Sequence, residues 1–235
     1  MSAYSYAKRA GKILCIGRNY VEHIKELNNK APAQPFYFLK PSSSVIHPGQ
    51  GPILVPKGTT VHYELELAVI LSKRLQNLDP STFGEKEALD AIEGYALALD
   101  LTARNVQDEA KKKGLPWTIG KGFDTFLPLS KYIKKSDIPD PHNAYLNLTV
   151  NGETKQSDST NLMVFRIPRI LSTMSSVMTL EPGDIILTGT PKGVGPIVPG
   201  DNIHGEISYD GKKIPEGDLN FDVAQKPGPY EFKET

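Results

Sequence analysis

The sequence predicts a β-rich α+β domain, and three observations carry that prediction. Short apolar or alternating runs bounded by Gly, Pro, Asn and Asp recur along the 235 residues. Turn formers are abundant, with 20 Gly and 19 Pro. Helical periodicity is confined to a few stretches, so helices of regular length do not separate the strands and a doubly wound parallel sheet is disfavoured.

In chain order, strands are expected at 13–16, 36–39, 63–71, 94–101, 145–150, 184–188 and 203–209. Helices are expected at 19–28, 103–113 and 162–178, with a weaker one near 85–92. Asn151-Gly152 and Asp210-Gly211 each supply the positive-φ pair of a two-residue hairpin. Lys111, Lys112 and Lys113 close the helix that starts near Ala103, where cations complement the carbonyl end of the helix dipole. No repeat or low-complexity tract interrupts the chain. One catalytic domain over 1–235 is therefore expected, with a short N-terminal element at about 1–45.

Composition excludes several function classes. Lys+Arg and Asp+Glu both number 27, so no whole-molecule field favours nucleic acid or an anionic membrane. No apolar run approaches the roughly 18 residues of a membrane span. Cys15 is the only cysteine, which rules out an internal disulfide or a CxxC knuckle and suits a reducing compartment. Within Ile13-Leu14-Cys15-Ile16 it reads as a buried structural thiol. Lys8, Arg9, Lys12 and Arg18 precede the first acid, Glu22, a basic start like that of a mitochondrial presequence. A strand at Ile13 leaves little room for a cleaved helix.

The chemistry is concentrated in carboxylates. In His62-Tyr63-Glu64-Leu65-Glu66-Leu67, strand alternation puts Glu64 and Glu66 on one face and the leucines on the other. Asp100 follows Ala96 and Ala98 on the matching face of the 94–101 strand. If these strands are neighbours, three carboxylates converge without Cys or clustered His, which suits a hard divalent cation. Mg²⁺ is the first choice, with Mn²⁺ and Ca²⁺ as alternatives; solvated acids on an exposed face are the competing reading.

Arg18, the i,i+3 pair Arg104 and Gln107, and Lys121 between two glycines are candidate anion-binding groups. The loop Gly189-Thr190-Pro191-Lys192-Gly193 lacks the Lys-Ser or Lys-Thr ending of a P-loop, so it is read as presenting backbone N–H groups and Thr190 to a small anion. His23 and Glu26, three apart, form a candidate base pair in which the carboxylate orients the imidazole toward water.

Taken in order, Gly17-Arg18-Asn19-Tyr20, His62 to Glu66, Asp100 to Gln107, Trp117 to Lys121 and Glu181 to Gly195 resemble the fumarylacetoacetate hydrolase family, closest to its acylpyruvase and oxaloacetate tautomerase-decarboxylase branch. The resemblance implies a mostly β fold, a rolled mixed β-sheet or β-barrel with a few short helices, assembled as a homodimer. It implies Mg²⁺ or Mn²⁺ on Glu64, Glu66 and Asp100. Arg104, Gln107, Lys121 and Thr190 would hold a 2-oxo acid, with Arg18 beside them, and His23 with Glu26 would act from a lid. Asn105 departs from the family pattern, which often has Asp there, but it should point away from Arg104.

A 2-oxo acid chelated through its carboxylate and keto oxygens forms an enolate when a C3 proton leaves. Oxaloacetate tautomerisation, acylpyruvate C–C hydrolysis and oxaloacetate decarboxylation all share that step, with Lys121 as proton carrier or electrostatic partner. The expectation is a metal-dependent enzyme for small 2-oxo acids, mitochondrial (matrix) rather than cytosolic. Its competitor is a catalytically silent, metal- and ligand-binding dimeric scaffold.

Overall fold

A computed structural model describes residues 3–26, 30 and 32–234. Its principal strands are β1 (Ile13–Gly17), β2 (Phe36–Lys40), β3 (Val61–Tyr63), β4 (Leu65–Leu71), β5 (Ile92–Leu99), β6 (Ala144–Val150), β7 (Glu153–Ser159), β8 (Ile185–Leu187), β9 (Asn202–Tyr209) and β10 (Leu219–Gln225). Five short α-helices accompany them among the described residues: α1 (Val21–Glu26), α2 (Glu85–Asp90), α3 (Arg104–Lys113), α4 (Thr118–Lys121) and α5 (Ile167–Ser175).

One six-stranded sheet runs Ile133–Lys134, β5, β4, β8, β1, β2 and is antiparallel except where β1 lies parallel to β8. A second runs β7, β6, β9, β10 and Ile53–Val55, the last pair parallel. Both keep open edges, so among the described residues the mixed sheets do not close into a barrel.

The alternation in β4 and β5 sorts side chains as the sequence implies. Leu65, Leu67, Val69, Leu97 and Leu99 join the main core together with Leu146, Leu148, Ile203, Leu219 and Phe221 of the second sheet. Ala68, Ile70, Ala96 and Ala98 face a smaller core with Tyr6, Leu127, Leu129 and Cys15. The alanines thus make room for the N-terminal segment, and β4 is buried along its whole length. Cys15 is fully buried, and burial, with the Asp100 charge next, pushes its thiol well up, so it stays protonated as a structural group. The basic N-terminal residues also have structural partners: Arg9 pairs with Glu93 and Lys12 with Asp184.

Both hairpins form as expected. Val150 pairs with Glu153 around Asn151 (φ 53°) and Gly152 (φ 79°), and Tyr209 pairs with Lys212 around Asp210 (φ 49°) and Gly211 (φ 71°). Four expectations need correction. The strand expected over 63–71 is interrupted at Glu64, where the chain passes from β3 in a separate small sheet to β4. The helix expected over 162–178 contracts to α5, entered through Pro168 in its first turn. The helix expected over 19–28 starts only at Val21, because Tyr20 forms an isolated bridge with Met163, and residues 27 and 28 lie outside the described residues. The expected strand ranges omit β10, although it alternates, and give no range for β7, the polar strand that the Asn151-Gly152 hairpin requires, whose one buried side chain is Gln156.

Candidate active site

The interruption at Glu64 builds the site. Glu64 still pairs with β5, its carbonyl accepting from Asp100 N–H at 2.8 Å. The two strand ends therefore release Glu64, Glu66 and Asp100 into one cavity, each nearly or fully buried. One oxygen from each carboxylate lies within 4.8 Å of those from the other two. Arg18, His23, Arg104, Gln107, Lys121 and Thr190 line the same cavity, so the structure brings the sequence-predicted residues together, and Glu26 reaches it through His23.

Helices α3 and α4 supply the cations. Between β5 and α3, Thr102 and Ala103 pair with His62 and Val61 of β3, so α3 starts at Arg104 beside the carboxylates, and Arg104 and Gln107 share one face of its first turn. Gly120 fits where a Cβ would lie 3.3 Å from Gln107 N, which lets α4 pack onto the first turn of α3 and send Lys121 inward. The Lys121 ammonium lies 2.7 Å from Asp100 Oδ2 and 3.0 Å from Glu64 Oε2. Burial opposes its charge, but Asp100 and Glu64 outweigh burial and raise its pKa, so Lys121 remains cationic.

Arg104 donates to Glu64 Oε1 (2.5 Å), Gln107 Oε1 (2.7 Å) and His62 Nδ1 (3.4 Å). That uses three of five guanidinium N–H groups and leaves one on each terminal nitrogen for a ligand carboxylate. The same bond orients the Gln107 carboxamide with its NH₂ free of Arg104. His62 accepts from a cation, and burial together with Arg104 lowers its pKa to about 4, keeping it neutral.

The carboxylates differ electrostatically. Burial raises Glu64, yet Lys121 and then Arg104 hold it below the usual carboxylate range. Glu66 has no ion-pair partner among the described residues; burial, then Asp100 and Glu64, push its pKa well up against one hydrogen bond from Gly189 N–H at 2.6 Å. Lys40, a buried lysine that sequence reasoning missed, lies 2.9 Å from Asp100 Oδ1 and donates to the carbonyls of Leu101 and Lys121. Asp100 Oδ1 thus faces the Lys40 ammonium while Oδ2 faces Lys121.

A buried glutamate with no ion-pair partner among the described residues, beside two other buried carboxylates with oxygens within 4.8 Å, is a donor set that fits a hard divalent cation. A second group, His204, Glu206 and Asp218, is half-exposed and already holds the Lys213 ammonium.

His23 is buried, and its Nδ1 lies 3.3 Å from Glu26 Oε2. A carboxylate only accepts, so Nδ1 carries the proton in this contact. Glu26 Oε1 accepts from Gly193 N–H at 3.0 Å, which docks the helix on the Gly-rich loop. Asn19, also missed in the sequence, anchors the other end of that segment through Phe165 and the Thr188 carbonyl. Arg18 adopts a left-handed backbone (φ 57°) with its guanidinium over the Phe36 ring. Lys111, read as a helix-end charge, also lines the cavity beside Trp117. Asn105 points away from the site as expected: its amide donates to Gly58 O (2.9 Å) and accepts from Thr60 N–H (3.0 Å).

The sequence pattern of the family described as fumarylacetoacetate (FAA) hydrolase C-terminal matches residues 12–223. The chain belongs to the fumarylacetoacetate hydrolase family. It is 48% identical to the mitochondrial oxaloacetate tautomerase of Saccharomyces cerevisiae, over 99% of this chain and 100% of that one. A yeast fumarylacetoacetate hydrolase family protein of known crystal structure superposes with a TM-score of 0.89 at 49% identity, covering 98% of this chain and 100% of the other. The fumarylpyruvate hydrolase of Pseudomonas aeruginosa, solved with Mn²⁺ and pyruvate, gives a TM-score of 0.80 at 30% identity over 92% and 91%. The chain is thus an enzyme of this family, not a silent scaffold, and a divalent metal suits both its relatives and its acidic cluster.

Proposed function

We propose that this protein is a Mg²⁺-dependent mitochondrial oxaloacetate tautomerase, acting as a homodimer with 1–235 as one catalytic domain. The observation that carries the reading is Lys121, buried and cationic on Asp100 and Glu64 in the cavity where Arg104 and Gln107 offer free donors. The full-length likeness to a tautomerase supports it. Glu64, Glu66 and Asp100 would hold the ion; when bound, it supplies Lewis-acid polarisation of the 2-oxo and carboxylate oxygens.

The remaining work falls to side chains of this chain. The two free N–H groups of Arg104 and the NH₂ of Gln107 grip a carboxylate and fix the plane of the 2-oxo acid, with Arg18 and Thr190 at its flanks. In tautomerisation a C3 proton, acidified by the flanking C2 and C4 carbonyl carbons, passes to water. Its electron pair forms the C2–C3 double bond, and the 2-oxo oxygen takes a proton from the Lys121 ammonium, which water restores.

The His23–Glu26 pair favours a second activity, C–C hydrolysis of acylpyruvates. His23 Nε2 takes a proton from water while the oxygen attacks the C4 carbonyl. The C3–C4 bond breaks, its electron pair stays on pyruvate C3, and a proton returns there, giving a carboxylic acid and pyruvate. Decarboxylation of oxaloacetate is a third reaction open to the site: the C3–C4 bond of the keto form breaks, CO₂ leaves, and the electron pair stays on C3 as the pyruvate enolate until a proton returns there.

The test is a spectroscopic assay of oxaloacetate enol loss alongside acetylpyruvate cleavage, with and without Mg²⁺. Both rates should require the ion, and indifference of both to its removal overturns the reading. Light scattering of the purified protein should give twice the 25.8 kDa chain mass; a monomer removes the dimer from the proposal.

A further inference from the structure

Gln156 lies on the otherwise polar strand β7 and is 1% exposed. Its Oε1 accepts from Leu65 N–H at 3.0 Å, and its Nε2 donates to Thr190 Oγ1 and to Pro191 O, both at 2.8 Å. Thr190 Oγ1 in turn donates to Leu65 O at 2.9 Å. Leu65 separates Glu64 from Glu66. Strand β8 stops pairing with β4 at Ala68, so it provides no backbone partner for Leu65. Two side chains, Gln156 and Thr190, satisfy both polar groups of this peptide instead.

The same bonds settle the polarity of Thr190. Its single hydroxyl proton is committed to Leu65 O and one lone pair to Gln156, so the hydroxyl has no proton to offer an anion. The loop held in this way also presents Gly189 N–H to Glu66 and Gly193 N–H to Glu26.

We propose that Gln156 is a positioning residue: its carboxamide sets the spacing between the strand bearing Glu64 and Glu66 and the 189–193 loop. It also commits the Thr190 hydroxyl to Leu65, so that Thr190 meets a 2-oxo acid through its backbone N–H. The inference rests on the 2-oxo acid reading above and adds a residue that touches neither substrate nor ion.

The test compares wild type with Gln156→Met, which keeps the volume and loses every hydrogen bond, and Gln156→Glu, which keeps the acceptor toward Leu65 but loses the donors. Ser157→Ala, on the exposed face of β7, is the control. Calorimetry with oxalate in the presence of Mg²⁺, oxaloacetate KM and kcat, and thermal melts are measured together. Oxalate affinity and KM should worsen by about tenfold in Gln156→Met and further in Gln156→Glu, which buries a charge of the ligand's own sign. The control should match wild type.

Lowered melting temperature with unchanged oxalate affinity and KM in both variants would make Gln156 merely structural and overturn the proposal. Should one variant fail to fold, the other decides. A wild type that binds oxalate but turns over neither substrate would sink the tautomerase reading, while the oxalate comparison would still decide the role of Gln156.

Discussion

Replacing Glu66 with Gln should stabilise the metal-free protein while removing its affinity for a divalent cation. Glu66 is 1% exposed, has no ion-pair partner among the described residues and shares its cavity with two other carboxylates whose oxygens lie within 4.8 Å. Two unit charges at that distance repel by about 3.5 kcal/mol at an effective dielectric constant of ~20. Three neighbouring cations and the Gly189 N–H bond, which a Gln oxygen would retain, offset much of this and leave roughly 1–3 kcal/mol. At this chain length that corresponds to a rise of about 2–12 °C in melting temperature.

The pH dependence gives an independent check. A carboxyl whose folded pKa is raised contributes fully below its unfolded value near 4.5, and that contribution is lost as pH rises through the folded value. Wild type in chelator should therefore lose stability relative to Glu66→Gln as pH rises above about 4.5. The assay is a pair of thermal melts across pH in chelator, followed by Mn²⁺ titration. A variant less stable than wild type in chelator, or one binding Mn²⁺ as wild type does, refutes the reasoning.

Three further outcomes follow from the geometry. His23→Ala should lower acetylpyruvate cleavage by about 10²–10⁴-fold and leave oxaloacetate tautomerisation within a few fold, measured on one preparation; equal losses would remove the division of labour. Asn105→Asp should cost about 1 kcal/mol in urea unfolding, because a carboxylate cannot donate to Gly58 O, and should leave Mn²⁺ affinity unchanged. His142 accepts from Ile167 N–H at the start of α5, and burial lowers its pKa below 6.5, so its contribution is present above that value and fades as pH falls beneath it. Urea midpoints between pH 7 and 5 should drop more in wild type than in His142→Gln, and parallel slopes would count against the assignment.

Much of the site was legible because strand alternation is a strict rule. Glu64, Glu66 and Asp100 could be placed on one side of two strands from their spacing to Leu65, Leu67 and Leu99, and i,i+3 spacing paired Arg104 with Gln107 and His23 with Glu26. The residues that hold the site together were harder to read. Lys40 ends an apolar run before Pro41, where a lysine reads as a surface charge. Its burial depends on Asp100 and two carbonyls more than sixty residues away in sequence.

Gln156 lies in Glu-Thr-Lys-Gln-Ser-Asp-Ser, a strand with no hydrophobic signal, because its neighbours β6 and the 189–193 loop supply its partners. Alternation in Leu219-Asn220-Phe221-Asp222-Val223 could have revealed β10. The break at Glu64 had no local marker, since it arises where β4 outruns β8 and side chains replace the backbone ladder.

In the proposed function, the carboxylate cluster, Lys121 and Arg104 form a metal-dependent enolisation site for oxaloacetate. The most direct measurement is the rate of enol-oxaloacetate loss in the ultraviolet for protein stripped by chelator and then titrated with Mg²⁺. Catalysed loss should fall to the uncatalysed rate on stripping and return in proportion to site occupancy. Full activity in the stripped protein would contradict it.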